Sequence, residues 1–247
     1  MPVRWHYLCF NSGMQRQTRI PTSKLVAHRG DRAGGIENTL AAFEYAAAHG
    51  ARYAECDIQF TRDLVAVVIH DNRLKRLCNR PDVKVMQTDL ADLQQICSDH
   101  FKLCELSELL SWLQQVPHLT LFIEIKPPIR RRLTARAIAR RLADQIPAPL
   151  LQQVVLISQN SDIIDACKNH IGCRTGWVAE SHRQPTTAFD YIFMPSQRSS
   201  TISSWQARGI KVGIYTVNDI SGAHTLLEAG ADLIETDYFS RLAEAHD

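Results

Sequence analysis

Eight short apolar runs alternate with segments of helical periodicity along this chain, and that alternation leaves few folds open. The runs are KLVAH (24 to 28), ARYAECDI (51 to 58), LTLFIEIK (119 to 126), QVVLIS (153 to 158), RTGWVA (174 to 179), DYIFM (190 to 194), IKVGIYTV (210 to 217) and ADLIETD (231 to 237). Each is rich in residues that favour strands, and strands alternating with helices build repeated βα units around a parallel sheet. Eight of them close on themselves as an α/β fold of the (β/α)8 barrel type, for which about 250 residues is usual. The chain has 247. Helices are expected over 38 to 50, 107 to 116, 130 to 146, 161 to 170 and 219 to 230, with Gly50 and Gly230 as C-terminal stops. Over 180 to 190 and 195 to 208 the helical signals are short and polar. Residues 1 to 24 lack periodicity and read as an N-terminal extension, so the barrel domain is expected over 25 to 247.

One apolar run does not fit a barrel strand. LVAVVIHD (64 to 71) follows DIQFTRD with no room for a helix between, so a β-hairpin inserted after the second strand is the simpler reading. A turn centred on Arg62, Asp63 and Leu64 would set residues whose numbers sum to about 127 opposite one another, and Asp57 opposite His70.

Bulk properties narrow the partners. A net charge of +2 is too mild for nucleic acid, which asks for a strongly basic face. The seven cysteines are odd in number and contain no CxxC pair, which argues against a disulfide framework or a structural zinc site and for a reducing cytoplasm. No segment holds about 18 consecutive apolar residues, and the N-terminal apolar run is too short for a signal peptide. A small-molecule substrate, no stable membrane insertion, and a monomer or homodimer are the expectation.

In barrel enzymes the reacting groups sit at the C-terminal ends of strands. Here His28 and Arg29 end the first run, Glu55 and Asp57 the second, and Glu124 and Lys126 the third, while the hairpin delivers His70 and Asp71. Glu55 and Asp57 are two apart on a strand and share a face, with Cys56 pointing the other way. Three carboxylates crowded at one mouth need a cation, and oxygen ligands of this kind suit Mg2+ or Ca2+. Arg29 and Lys126 add the positive charge a phosphate needs, and two histidines can move protons near neutral pH.

At these residues the chain resembles the glycerophosphodiester phosphodiesterase family. The matching pieces are HRG (28 to 30), ENT (37 to 39), ECD (55 to 57), HD with LKR (70 to 76), EIKP (124 to 127), YTVN (215 to 218) and TD (236 to 237). The resemblance implies a TIM barrel with a hairpin insertion and hydrolysis of a glycerophosphodiester to sn-glycerol 3-phosphate and an alcohol. It also implies Glu55, Asp57 and Glu124 as metal ligands, His28 and His70 as an acid/base pair of unassigned order, Arg29 and Lys126 as phosphate contacts, and Glu37 and Asn38 as supports. This chain has Ile36 where the family usually has proline before ENT, and Tyr238 or Phe239 where it has proline near the late TD.

Other readings stand beside this one. Related barrels carry a lysophospholipase D-like activity, which a long apolar rim would favour, and a non-catalytic barrel that binds phosphodiesters is a third option. Glu37 and Asn38 start a helix and can serve as its cap, and Asn218 and Asp237 can simply hold loops. Arg130, Arg131, Arg132, Arg136, Arg140 and Arg141 alternate with apolar residues at helical spacing, as on a solvated outer face.

Overall fold

The computed structural model describes residues 19–180 and 183–243. Eight parallel strands close a barrel: β1 (Leu25–His28), β2 (Tyr53–Phe60), β6 (Thr120–Ile125), β7 (Val154–Ser158), β8 (Arg174–Val178), β9 (Tyr191–Pro195), β10 (Lys211–Tyr215) and β11 (Leu233–Thr236), which pairs back to β1. These are the eight runs of the sequence, trimmed by a residue or two at their ends. Helices α1 (Leu40–Ala48), α4 (Leu106–Leu113), α5 (Ala135–Gln145), α6 (Ser161–His170), α7 (Ile202–Gln206), α8 (Ile220–Glu228) and the short α9 (Phe239–Leu242) follow strands around the outside. Thr134, Asn160 and Asp219 cap α5, α6 and α8, each accepting from a backbone N–H three residues on.

Strand parity sorts the side chains. On β6, Phe122 and Glu124 point into the barrel, whereas Leu121, Ile123 and Ile125 pack against the helices. The interior is filled by Val26, Phe122, Val155, Ile157, Val178, Tyr191, Phe193 and Leu233, with the Phe122 ring edge-on to Tyr191 at 5.0 Å and to Phe193 at 4.9 Å. Gly213 makes room for this layer: a Cβ there would lie 2.5 Å from the Phe193 ring. The barrel is therefore plugged below, and only its C-terminal mouth is open to polar chemistry.

The chain departs from the sequence reading between β2 and β6. A hairpin does follow β2, formed with β3 (Ala66–Val68), but it opens a larger insertion. This holds β4 (Arg73–Leu74), α2 (Lys75–Cys78), β5 (Arg80–Lys84) and α3 (Leu90–Cys97), with its own core of Val67, Ile69, Leu74, Val83, Val85, Leu93 and Phe101. Ile58 faces Val68 and Phe60 faces Ala66, so pairing is symmetrical about Asp63 and Asp57 faces Ile69, not His70. His70 lies past the ladder, its carbonyl accepting from Gln59 Nε2 at 2.7 Å. The expected helix over 130 to 146 starts only at Ala135, because Pro127–Arg131 forms a 3-10 turn. Arg132 then braces the insertion, donating to the carbonyls of Thr61, Arg62 and Met86. Among the described residues between β8 and β9 there is no helix; Asp165 of α6 ties that connection down by accepting from Thr186 and Thr187.

Most of the expected N-terminal extension lies outside the described residues. Ile20, within it, is fully buried, and its N–H donates to Leu242 O at 2.9 Å. No helix among the described residues is long and apolar enough to cross a membrane.

The interior layer makes a stability prediction. Phe122→Ala should destabilise the fold by about 3–5 kcal/mol in urea unfolding, from lost burial and the cavity left between Tyr191 and Phe193. A loss under about 1 kcal/mol would mean that the barrel interior is not packed as described.

Candidate active site

Strand register assembles the site. His28 lies beside Glu55 in the β1–β2 pairing, and Asp57 beside Glu124 in the β2–β6 pairing. Neighbours in a parallel sheet project to the same face, so all four reach the mouth. Glu55, Asp57 and Glu124 are buried, and each offers an oxygen within 4.8 Å of the others. Lys126 follows β6, with Nζ 3.0 Å from Asp57 Oδ1 and 3.1 Å from Glu124 Oε1. His28, Arg29, Glu55, His70, Glu124 and Lys126 line a cavity of about 120 Å³. A larger groove of about 630 Å³ runs between α3 and α4, without such a cluster.

Two loop residues hold the array from above. Arg29 and Asn38 both take left-handed backbone conformations, φ +57° and +60°, an uncommon state for a residue with a Cβ. They fix one another: Asn38 N–H donates to Arg29 O at 2.9 Å. Asn38 Nδ2 donates to Asp57 Oδ2 at 2.9 Å, and Asn38 Oδ1 accepts from Asp57 N–H at 3.2 Å. Arg29 Nε is 3.0 Å from Asp57 Oδ2, and Arg29 N–H donates to Glu55 Oε2 at 3.2 Å. Glu37, buried, accepts from Arg29, Arg32 and Arg76. Gly30 is required where it stands, because a Cβ would meet the Ala42 backbone at 2.7 Å. Neither Glu37 nor Asn38 caps α1; Thr39 occupies that position.

The model of the glycerophosphoryl diester phosphodiesterase family matches residues 28–241. The chain belongs to that family. The YqiK protein of Bacillus subtilis is 29% identical over 235 residues, 87% of this chain and 95% of its own. A glycerophosphodiester phosphodiesterase of Bacillus altitudinis is 46% identical over 57 residues, 23% of each chain. Among solved structures, an Oleispira antarctica phosphodiesterase in complex with its product sn-glycerol-3-phosphate shares the fold, with a TM-score of 0.74 at 22% identity, covering 89% of this chain and 94% of that one.

In this phosphodiesterase the carboxylates are tuned apart. Burial raises Asp57, but Lys126 and Arg29 outweigh it and hold the group well below the usual range. Glu55 is pushed well up by burial and by Asp57, Glu235 and Glu124. Glu124 rises to about 7 through burial, opposed by Lys126 and reinforced by Asp57. The histidines also separate. Burial works against a charged His28, yet Asp237, whose Oδ1 lies 2.8 Å from Nδ1, and Glu235 raise it overall. Burial dominates at His70 and lowers it, even though Nδ1 is 2.7 Å from Asp71 Oδ1.

Three residues at the mouth were not singled out as site residues from sequence. Asp237, one of the pair read as a loop holder, orients His28 and is itself gripped by Asn218 through Nδ2 at 3.0 Å. Glu235 is buried and lies with His28 and Glu55 in a second group of close donor atoms. Parity could have found it, because Leu233, two residues earlier on β11, faces the barrel interior. Arg76, the last residue of the LKR piece, reaches Glu37 of ENT from 39 positions away; the resemblance marks both residues, but no local pattern signals their contact.

The separated histidines predict a titration. In the cation-free protein, NMR should place His28 above its ordinary 6.5 and His70 below it, with Asp237→Asn bringing His28 down. The stability His28 contributes is complete below pH 6.5 and fades as pH rises through its raised value. That of His70 has the opposite sense, present above 6.5 and lost as pH falls through its lowered value. A His28 titrating below His70 would contradict this electrostatic picture.

Proposed function

We propose that the chain hydrolyses small glycerophosphodiesters to sn-glycerol 3-phosphate and an alcohol, using a divalent cation on Glu55, Asp57 and Glu124. The observation that carries this reading is one mouth where two histidines on separate carboxylate partners face a buried carboxylate cluster flanked by Arg29 and Lys126. The residues fit a cation. Asp57 Oδ1 and Glu124 Oε1 are buried and accept no aligned hydrogen bond, although Lys126 is close to both. Unsatisfied carboxylate oxygens in an interior are costly, and an all-oxygen set suits Mg2+ or Ca2+. When bound, such a cation supplies Lewis-acid stabilisation of charge on the phosphoryl group.

The protein's own groups do the rest. Arg29 and Lys126 hold the phosphoryl oxygens, Asn38 fixes Asp57, and Glu37 fixes Arg29. His70, whose affinity for a proton burial lowers, takes the proton from the attacking water as its oxygen bonds to phosphorus and the P–O bond to the alcohol breaks; if the glycerol 2-hydroxyl attacks first, a cyclic phosphate forms and a water then opens it to sn-glycerol 3-phosphate. His28, whose hold on its proton Asp237 strengthens, gives that proton to the leaving alkoxide. Environments that push two titratable groups apart in this way support one as acid and the other as base. The described lining of the mouth is mostly polar, with His28, Arg29, Glu55, His70, Glu124 and Lys126 among it, which supports soluble diesters over lysophospholipids as substrates. The six free buried cysteines among the described residues suit a reducing compartment, which supports cytoplasmic placement.

The test is release of sn-glycerol 3-phosphate from a panel of glycerophosphodiesters, with Mg2+, Ca2+ or EDTA. We expect cation-dependent release that EDTA abolishes and that His28→Ala and His70→Ala each lower about 10²- to 10⁴-fold. Preferential cleavage of lysophospholipids would move the activity to lipids. Turnover of neither class would contradict the proposal.

A further inference from the structure

Beyond delivering His70, the insertion between β2 and β6 carries Arg76 on its short helix α2. Arg76 donates from Nη1 to Glu37 Oε2 at 2.8 Å, from Nη2 to Glu37 Oε1 at 2.6 Å and from Nε to Asp71 Oδ2 at 2.8 Å. Glu37 accepts in turn from Arg29 Nη1 at 3.0 Å, and Asp71 Oδ1 lies 2.7 Å from His70 Nδ1. One guanidinium therefore closes an unbroken chain of contacts from His70 to Arg29. Its position is not free: α2 is anchored by buried Leu74 and Cys78, both part of the insertion's own core.

We propose that Arg76 is a positioning residue that couples the two halves of the site, fixing the His70 ring through Asp71 and the Arg29 guanidinium through Glu37. This rests on the catalytic reading of those two residues given above. The physical case is geometric. A planar fork that satisfies both oxygens of one carboxylate, with its remaining edge on a second, fixes two carboxylates relative to each other, which a point charge on a flexible stem cannot do. Asp71 is a quarter exposed and would otherwise turn toward solvent, leaving His70 Nδ1 without its acceptor and the choice of ring tautomer open. Glu37 keeps Arg29 and Arg32 when Arg76 is gone, so the phosphate side should loosen less than the histidine side.

Arg76 is nearly half exposed, so its removal leaves a gap that a small guanidinium ion can enter from solvent. In Arg76→Ala we expect kcat to fall about 10- to 100-fold with a smaller change in KM, an unchanged melting temperature, and partial recovery with added guanidinium but not with ammonium. Arg76→Lys keeps the stem and charge but not the fork, and should be impaired to a similar degree. Asp71→Asn should not respond to guanidinium. The ring-nitrogen 15N shifts of His70 read the same claim without turnover: one tautomer in the wild type, a mixture in Arg76→Ala, and the single tautomer again with guanidinium. If no diester is cleaved by any form, the functional reading fails while these shifts still decide the positioning role. Unchanged His70 shifts in Arg76→Ala, or full activity in Arg76→Lys, would overturn it.

Discussion

Carboxylates buried side by side repel one another and resist losing water, and much of the architecture around this barrel mouth answers that cost. Glu55, Asp57, Glu124 and Glu235 all sit inside, within a few residues of strand ends. Lys126 and Arg29 stabilise Asp57 as an anion, whereas Glu55 and Glu124 are left with affinities for protons far above normal. A fold that selected only for stability would replace such a cluster with apolar side chains of similar volume, because buried charge seldom offsets its own desolvation. The layer beneath, built on Phe122, Tyr191 and Phe193, is buried and closely packed, and the burial it supplies offsets part of what the cluster costs.

Precision at the mouth comes from backbone as much as from side chains. Arg29 and Asn38, both left-handed, are bonded to each other and place one guanidinium and one amide on the same Asp57 oxygen. Residues held in sparsely populated conformations persist only when their surroundings over-determine them, and such sites cluster where function is located. The insertion adds a second support from the opposite side, delivering His70 and Asp71 past the end of β3 and Arg76 from α2. The two supports meet at Glu37.

The barrel was legible because its signal is repetitive and local: eight strand-like runs with parity that sorts inward from outward residues. The same parity places Glu55, Asp57 and Glu124 on one face. It would also have placed Glu235 there, had β11 been read from Leu233 upward. Asp237 was harder, since an aspartate after a strand fits a turn as well as it fits a partner for His28. Arg76 stands in the LKR that carries the family resemblance, but its contacts were not legible, because Glu37 and Asp71 come together only once the insertion folds against the barrel. The turn does centre on Asp63, but such a turn pairs residues whose numbers sum to 126 and not 127, so Asp57 faces Ile69 and the expected register is one residue off. His70 reaches the mouth by leaving the ladder and not by facing Asp57 across it.

The most direct measurement is thermal unfolding across about pH 5 to 8 with EDTA, and again with Mg2+ or Ca2+ in excess. Glu55 and Glu124 hold their protons in the cation-free fold, Glu124 up to about 7, so that form should lose stability as pH rises from about 4.5 through that range. Added cation should restore the loss, and its stabilisation should grow with pH as the ligands give up their protons. A melting temperature indifferent to both cations at every pH would contradict the claim that this buried cluster is built to hold one.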